Sequence, residues 1–366
     1  HEVHDPEIKR PITELGMVDD ISADEAGNAA VRILLTTEGC PLKGPLRKDV
    51  TDAAAAVEGV SNVTVELGVM NDEQRNALKT MLRGGVPERT IQFAEPGNLT
   101  KVIAIASGKG GVGKSSITVN LASALAAMGR SVGLLDADIY GHSVPDMLGV
   151  GDARPTPVDD MIMPVPAGDL KVISVGMLKP SRDQVIAWRG PILDRALTQL
   201  LADVYWGDLD YLILDLPPGT GDIAISIAQL IPNSEILVVT TPQQAAAEVA
   251  ERAGSIAMQT HQRLVGVIEN MSWLELPDGS RQELFGSGGG QTVADSLSRT
   301  VGADVPLLGQ IPLDVSLREG SDHGDPAVIS NPDGPAAVAL RGIARGLATR
   351  SRGLAGRSLG LTPTGR

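Results

Sequence analysis

Between the apolar run Lys101–Ala106 and the alanine-rich segment Ile117–Ala126 lie ten residues, Ser107 to Ser116, four of which are glycine. Gly108 to Ser115 fit the pattern Gly-x-x-x-x-Gly-Lys-[Ser/Thr]. A glycine-rich turn leading from a buried strand into a helix aims successive backbone N–H groups at one point, where the positive end of the helix dipole adds to them. That is a phosphate site. The expected contacts come from Gly108, Lys109, Gly110, Gly111, Val112, Gly113, Lys114, Ser115 and Ser116, with Lys114 reaching the β- and γ-phosphates and Ser115 binding Mg²⁺. Lys109 is a second cation inside the loop, which a purely structural turn has no need of.

The turn also constrains the fold, because strands and helices alternate from Lys101 onward. That pattern implies parallel strands with helices on both faces. Strands are expected over 101–106, 131–135, 170–175, 210–214, 235–240, 264–269 and 306–311, with a core-packing helix over Ala245–Met258. Aromatic residues make up only 2% of the chain, so the core is built from Ala, Val, Leu and Ile. The fold class is therefore α/β, a mostly parallel doubly wound sheet over 100–350, preceded by a small α+β domain over 1–85. Within that domain a helix is expected from Asp5 to Leu15, then strands Met17–Ser22 and Ala29–Thr36, a loop with Cys40, helix Leu46–Val57, strand Val60–Leu67 and helix Glu73–Leu82. Gly84-Gly85-Val86-Pro87 and Glu95-Pro96-Gly97-Asn98 punctuate a linker, 86–99. Pro-rich residues 154–166 read as an irregular excursion. From Arg341 to the end there are six arginines and no acidic residue, and 351–366 reads as a disordered tail.

A formal charge of −14 and a pI near 4.8 argue against nucleic acid as a partner, since phosphate neutralisation needs a basic surface. The single cysteine excludes an intrachain disulfide framework and suits a reducing cytoplasm. No apolar run reaches membrane-spanning length, so no stable membrane insertion is expected.

Hydrolysis needs a metal ligand shell and a positioned water besides the phosphate loop. Val132-Gly133-Leu134-Leu135-Asp136-Ala137-Asp138 and Tyr211-Leu212-Ile213-Leu214-Asp215 each end an apolar strand in carboxylates. Ligands of open α/β sheets bind at the carboxyl ends of strands, where these groups and the loop converge. Asp215 is the expected Mg²⁺-side carboxylate and Asp138 the residue that orients water, with a share in the metal site. Asp136 either supports the metal from behind or caps a turn. Pro217-Pro218-Gly219-Thr220-Gly221-Asp222 combines stiff and mobile residues, as a segment that senses the γ-phosphate would.

Lys109-Gly110-Gly111-Val112-Gly113-Lys114-Ser115 resembles the deviant Walker A loop of the MinD/Mrp/nitrogenase-iron-protein ATPases. Asp215–Asp222, Trp188-Arg189-Gly190-Pro191, Glu269-Asn270-Met271-Ser272 and Phe285-Gly286-Ser287-Gly288-Gly289 resemble the Mrp iron–sulfur cluster carriers more narrowly. The first 85 residues resemble the iron–sulfur-assembly domain often fused in front of them. The resemblance implies an ATP- and Mg²⁺-dependent homodimer in which Lys109 crosses to the partner's nucleotide as a catalytic cation beside Lys114 and Asp138. It also implies Asn270 on the adenine, Pro312 with its neighbours Ile311 and Leu313 walling the base, and apo-protein clients or assembly proteins as partners. One feature departs from it. Such carriers hold their cluster with a Cys-x-x-Cys pair shortly after Glu-Asn-Met-Ser, but Ser272–Ser280 contains no cysteine, and Asp278-Gly279 reads as a hairpin turn. A cubane cluster takes four thiolates, whereas two chains offer two copies of Cys40, the one candidate thiol ligand. Two other readings stay open: a MinD/ParA-like ATP-switched positioning or scaffold protein, and an assembly adaptor that holds no cluster itself.

Overall fold

The structure is a computed structural model that describes residues 3–36, 42–82, 90–138, 141–159, 161–178, 190–219, 222–243 and 246–350. Cys40, Trp188, Arg189, Thr220, Gly221 and the tail 351–366 lie outside the described residues. The chain divides into two compact units, one formed by His1–Thr90, Arg154–Pro166 and Asp203–Gly207, the other by Ile91–Ala153, Ala167–Ala202 and Asp208–Arg366.

In the first unit a three-stranded sheet pairs Val18–Ala23 antiparallel and Asn62–Val69 parallel with the central strand Asn28–Leu35. Helices Lys43–Ala55 and Asp72–Leu82 accompany it. The central strand alternates in burial up to its fully buried end, which places Val31, Ile33 and Leu35 in a core with Leu46, Val50 and Leu78. The expected helix from Asp5 to Leu15 does not form. Pro11 has no N–H to give and disfavours helical backbone at Arg10, so the segment makes two turns joined by a bridge between His4 and Pro11. Asp5 Oδ1 anchors the first turn by accepting the N–H groups of Glu7 and Ile8 at 2.9 and 2.8 Å. Residues 154–166 are also more ordered in character than the proline content suggests. Thr156–Val158 and Met161–Met163 form an antiparallel ribbon whose Val158, Met161 and Met163 join this unit's core.

The second unit holds an eight-stranded sheet, seven strands of which pair in parallel in the order Leu307–Gln310, Arg263–Glu269, Glu235–Thr240, Lys101–Ala106, Tyr211–Asp215, Val132–Asp136, Leu170–Ser174. All seven expected strands are present. The central ones are buried throughout, as sheets covered on both faces require. Helix Lys114–Ala127 is buried on nearly every side, which explains its alanines: Ala122, Ala124 and Ala126 let the sheet and helix Pro335–Thr349 approach together. The Lys101–Ala106 strand sits between Glu235–Thr240 and Tyr211–Asp215. Its carboxyl end thereby lies beside Asp215, and the strand that leads to Asp136 and Asp138 lies next, on the far side of Tyr211–Asp215. Among the described residues no helix is long and apolar enough to cross a membrane.

Candidate nucleotide site

The loop after Ala106 takes its shape from two glycines in left-handed backbone, Gly111 at φ +77° and Gly113 at φ +78°. Val112 between them is anchored in the core, 2% exposed. Gly113 is required twice over, since a Cβ there would lie 2.4 Å from Asn270 Nδ2. Asn270 Nδ2 donates to the Val112 carbonyl at 2.9 Å, so Asn270 braces the loop in this structure. Its backbone N–H is held by Thr240 O at 2.8 Å. Gly219 N–H donates to Ser107 O at 2.8 Å, which ties the Pro217–Gly219 segment to the start of the phosphate loop.

Lys114 and Ser115 open the helix, and both point at Asp215. Lys114 Nζ lies 2.7 Å from Asp215 Oδ2, with only 5% and 1% of the two side chains exposed. Ser115 Oγ donates to the same oxygen at 2.6 Å and lies 3.3 Å from Lys114 Nζ. The other carboxylate oxygen, Oδ1, is 2.7 Å from Thr118 Oγ1. That hydroxyl is also 2.9 Å from Lys114 O, and its one proton serves the carboxylate as the stronger acceptor. Thr118 was not among the expected site residues, although a polar side chain four residues after Lys114, on the same face of an apolar helix, was a readable signal.

Asp136 and Asp215 are register partners on adjacent strands. Asp136 is wholly buried, and burial first and the Asp215 charge second push its carboxyl well above the usual carboxylate range. It accepts the N–H of Asp138 at 3.1 Å and the hydroxyl of Ser174 at 3.0 Å. The Asp138 carboxylate accepts the Gly141 N–H at 3.0 Å. Lys109 donates to Gln243 Oε1 at 2.5 Å, a partner with no local signal in the chain. Ser116 turns the other way, 3.3 Å from Ser321 Oγ. Pro312 is buried, and its neighbour Ile311 runs beside Glu269–Ser272 through the bonds Ile311 N to Glu269 O and Ser272 N to Ile311 O, each within 2.9 Å.

The stretch after Ser272 is the expected hairpin, Leu274–Glu275 paired with Arg281–Gln282, with Gly279 at φ +79° in its turn and the Arg281 guanidinium 4.1 Å over the Trp273 ring. Among the described residues no group of three or more His, Cys, Asp or Glu side chains could hold a metal. Ser115 Oγ and Asp215 Oδ2, 2.6 Å apart, are hard oxygen donors of the kind that fit Mg²⁺, an ion held by one or two protein ligands together with substrate phosphates.

Comparison with known proteins accords with this architecture. The family described as NUBPL iron-transfer P-loop NTPase matches residues 98–348, and the family described as iron–sulfur cluster assembly protein matches residues 1–67. The iron–sulfur cluster carrier protein of Mycobacterium tuberculosis is 61% identical over 364 residues, covering 100% of this chain and 95% of that protein. A nucleotide-binding protein from Archaeoglobus fulgidus, solved in complex with ADP, is 34% identical with a TM-score of 0.54, over 64% of this chain and 89% of its own. The septum site-determining protein MinD from Pyrococcus horikoshii, solved with Mg-ADP, shares the fold with a TM-score of 0.51 at 24% identity, over 68% of this chain and 96% of that one. An α/β sheet of this order, a glycine loop braced from behind by Asn270 and sequence likeness along the whole chain lead to one assignment: the protein belongs to the iron–sulfur cluster carrier family of P-loop NTPases, with an iron–sulfur-assembly domain in front.

Proposed function

We propose that this chain binds ATP with Mg²⁺ and hydrolyses it as a homodimer, in the service of iron–sulfur cluster delivery to apo-proteins. The observation that carries the reading is the convergence of Lys114, Ser115 and Thr118 on Asp215 at the mouth of the glycine loop. When nucleotide binds, the N–H groups of Gly110 to Ser115 and the Lys114 ammonium take the phosphates, while Ser115 and Asp215 hold Mg²⁺, which supplies charge neutralisation to the transferring phosphoryl group. Asp138 orients the attacking water. Lys109 leaves Gln243 to reach the nucleotide of a second copy, and Asn270 and Pro312 face the adenine.

In this scheme the cluster is cargo rather than a resident group. The missing cysteines in Ser272–Ser280 favour a second reading, in which the chain is a nucleotide-driven adaptor for other assembly proteins. Anaerobic reconstitution with iron and sulfide on wild type and Cys40→Ser, followed by iron analysis, decides between them. Stoichiometric cluster in wild type and none in the variant supports a carrier that uses Cys40. No cluster in either supports the adaptor. Mg²⁺-dependent release of phosphate from ATP tests the enzymatic reading in both cases.

A further inference from the structure

Asp138 and His142 both depend on one short segment, Ser174–Gly176, at the end of a neighbouring strand. Asp215, Asp136 and Ser174 are register partners on three adjacent parallel strands and form a polar rung at their carboxyl ends. Ser174 follows the apolar run Leu170, Val172 and Ile173, and neither it nor Asp136 has any exposed surface. Its hydroxyl accepts the Gly176 N–H at 3.0 Å and donates to Asp136 Oδ2 at 3.0 Å, so both its proton and its acceptor capacity are committed in a fixed direction. The other oxygen of Asp136 accepts the Asp138 N–H at 3.1 Å. The far side of the loop meets the same segment, because a Cβ on Gly176 would fall 2.3 Å from His142 Cδ2 and 2.7 Å from Cγ. Only glycine leaves room for that ring. Asp138 is thus suspended from Ser174 through Asp136, and His142 rests on Gly176.

We infer that Ser174 is a positioning residue for hydrolysis: through Asp136 it fixes the backbone of Asp138, and with Gly176 it couples the water-orienting loop to the segment that follows its strand. This rests on the proposed role of Asp138 in hydrolysis. Among the described residues the Ser174 hydroxyl bonds Asp136 and Gly176 and not the phosphate loop, so losing it should leave nucleotide binding in place and slow the chemical step. One buried hydrogen bond corresponds to about a tenfold effect.

The test uses the full chain with ATP and Mg²⁺, comparing wild type, Ser174→Ala and Ser174→Thr. For Ser174→Ala the expected result is a kcat about tenfold lower with KM and the affinity for a fluorescent ATP analogue changed by no more than about twofold. Faster hydrogen exchange at the Asp138 amide, with the rest of the sheet still protected, is expected alongside it. Ser174→Thr, which keeps the hydroxyl on a residue suited to a strand, should restore both the rate and the protection. An unchanged kcat and unchanged Asp138 exchange in Ser174→Ala would overturn the inference, as would a loss of analogue binding equal to the loss of rate. If wild type itself releases no phosphate from ATP, the hydrolytic reading falls first. If wild type turns over and Asp138→Asn does not, a normal Ser174→Ala removes the positioning role alone.

Discussion

Asp215→Asn is the substitution on which the proposed site makes its most demanding prediction, because it should weaken one property and strengthen another. Lys114 Nζ sits 2.7 Å from Asp215 Oδ2, with 5% and 1% of the two side chains exposed. An asparagine keeps the shape and removes the counter-charge at 2.7 Å, leaving the buried ammonium with the Ser115 hydroxyl, 3.3 Å away, and the electrostatic influence of Asp136. Removing one partner of a buried pair costs about 3–5 kcal/mol. For a unit of this size each kcal/mol shifts the midpoint by about 2–4 °C, so the apo protein should melt roughly 6–20 °C earlier. ATP without metal should then bind more tightly than to wild type, because Lys114 no longer has to leave a carboxylate to meet the phosphates. With Mg²⁺ present the order reverses, since the metal has lost Asp215, and phosphate release should fall to background. Calorimetric titration of ATP in EDTA and in Mg²⁺, with thermal melts of the apo proteins, reads all three effects. Unchanged melting and a wild-type metal titration would refute the reasoning.

Thr118→Val, nearly isosteric, removes the hydroxyl that holds Asp215 Oδ1 and should raise the Mg²⁺ concentration needed for half-maximal hydrolysis by about tenfold or more, as measured by metal titration of turnover. Lys109→Ala should abolish ATP hydrolysis while preserving analogue binding, and turnover at the wild-type rate would remove the cross-dimer role of that lysine. In the first unit Glu7 is raised from its ordinary 4.5 to about 7, chiefly by burial, next by the Asp5 charge, and against the Thr156 hydroxyl that donates to it at 3.1 Å. An acid whose folded pKa is raised binds its proton more tightly when folded. This group therefore lowers stability progressively as pH rises from about 4.5 through 7, and Glu7→Gln should flatten that window and make the protein more resistant to denaturant at pH 8.

The parallel strands were legible because each is a short apolar run closed by a turn, and for the central ones burial on both faces leaves such a run nothing else to become. The carboxylates at their ends were legible for a related reason, since Asp136 and Asp215 each close an apolar strand and no apolar packing accounts for a charge there. The turn at Asp5 was misread because an acidic residue followed by proline is common to helix starts and to side-chain turns, and Pro11 decides between them from six residues away. The ribbon at 156–163 was hidden by its prolines: Pro157 sits on a two-stranded ribbon, where a missing N–H costs little. Contacts between residues far apart in the chain, such as Lys109 with Gln243 or Asp136 with Ser174, leave no periodic trace at all. They are set by strand order, and strand order is a property of the whole sheet.

That strand order also explains why one carboxylate can serve two states. Lys114 is buried at the head of its helix, and a buried ammonium requires a counter-charge at all times. With no nucleotide the counter-charge is Asp215, brought beside it because Tyr211–Asp215 pairs directly with the strand that feeds the glycine loop. In the proposed site ATP and Mg²⁺ would exchange the partners: phosphate would take Lys114, the metal would take Asp215, and the number of buried ionic pairs would not fall. The exchange requires both ligands, because phosphate alone would strand Asp215 and metal alone would strand Lys114. Binding of ATP and of Mg²⁺ should therefore be mutually reinforcing in wild type and lose that coupling in Asp215→Asn. Such coupling gives a reason for the proposed metal carboxylate to stand within reach of the lysine, on the strand paired with the one that feeds the loop, rather than on the next strand out, which leads to Asp138.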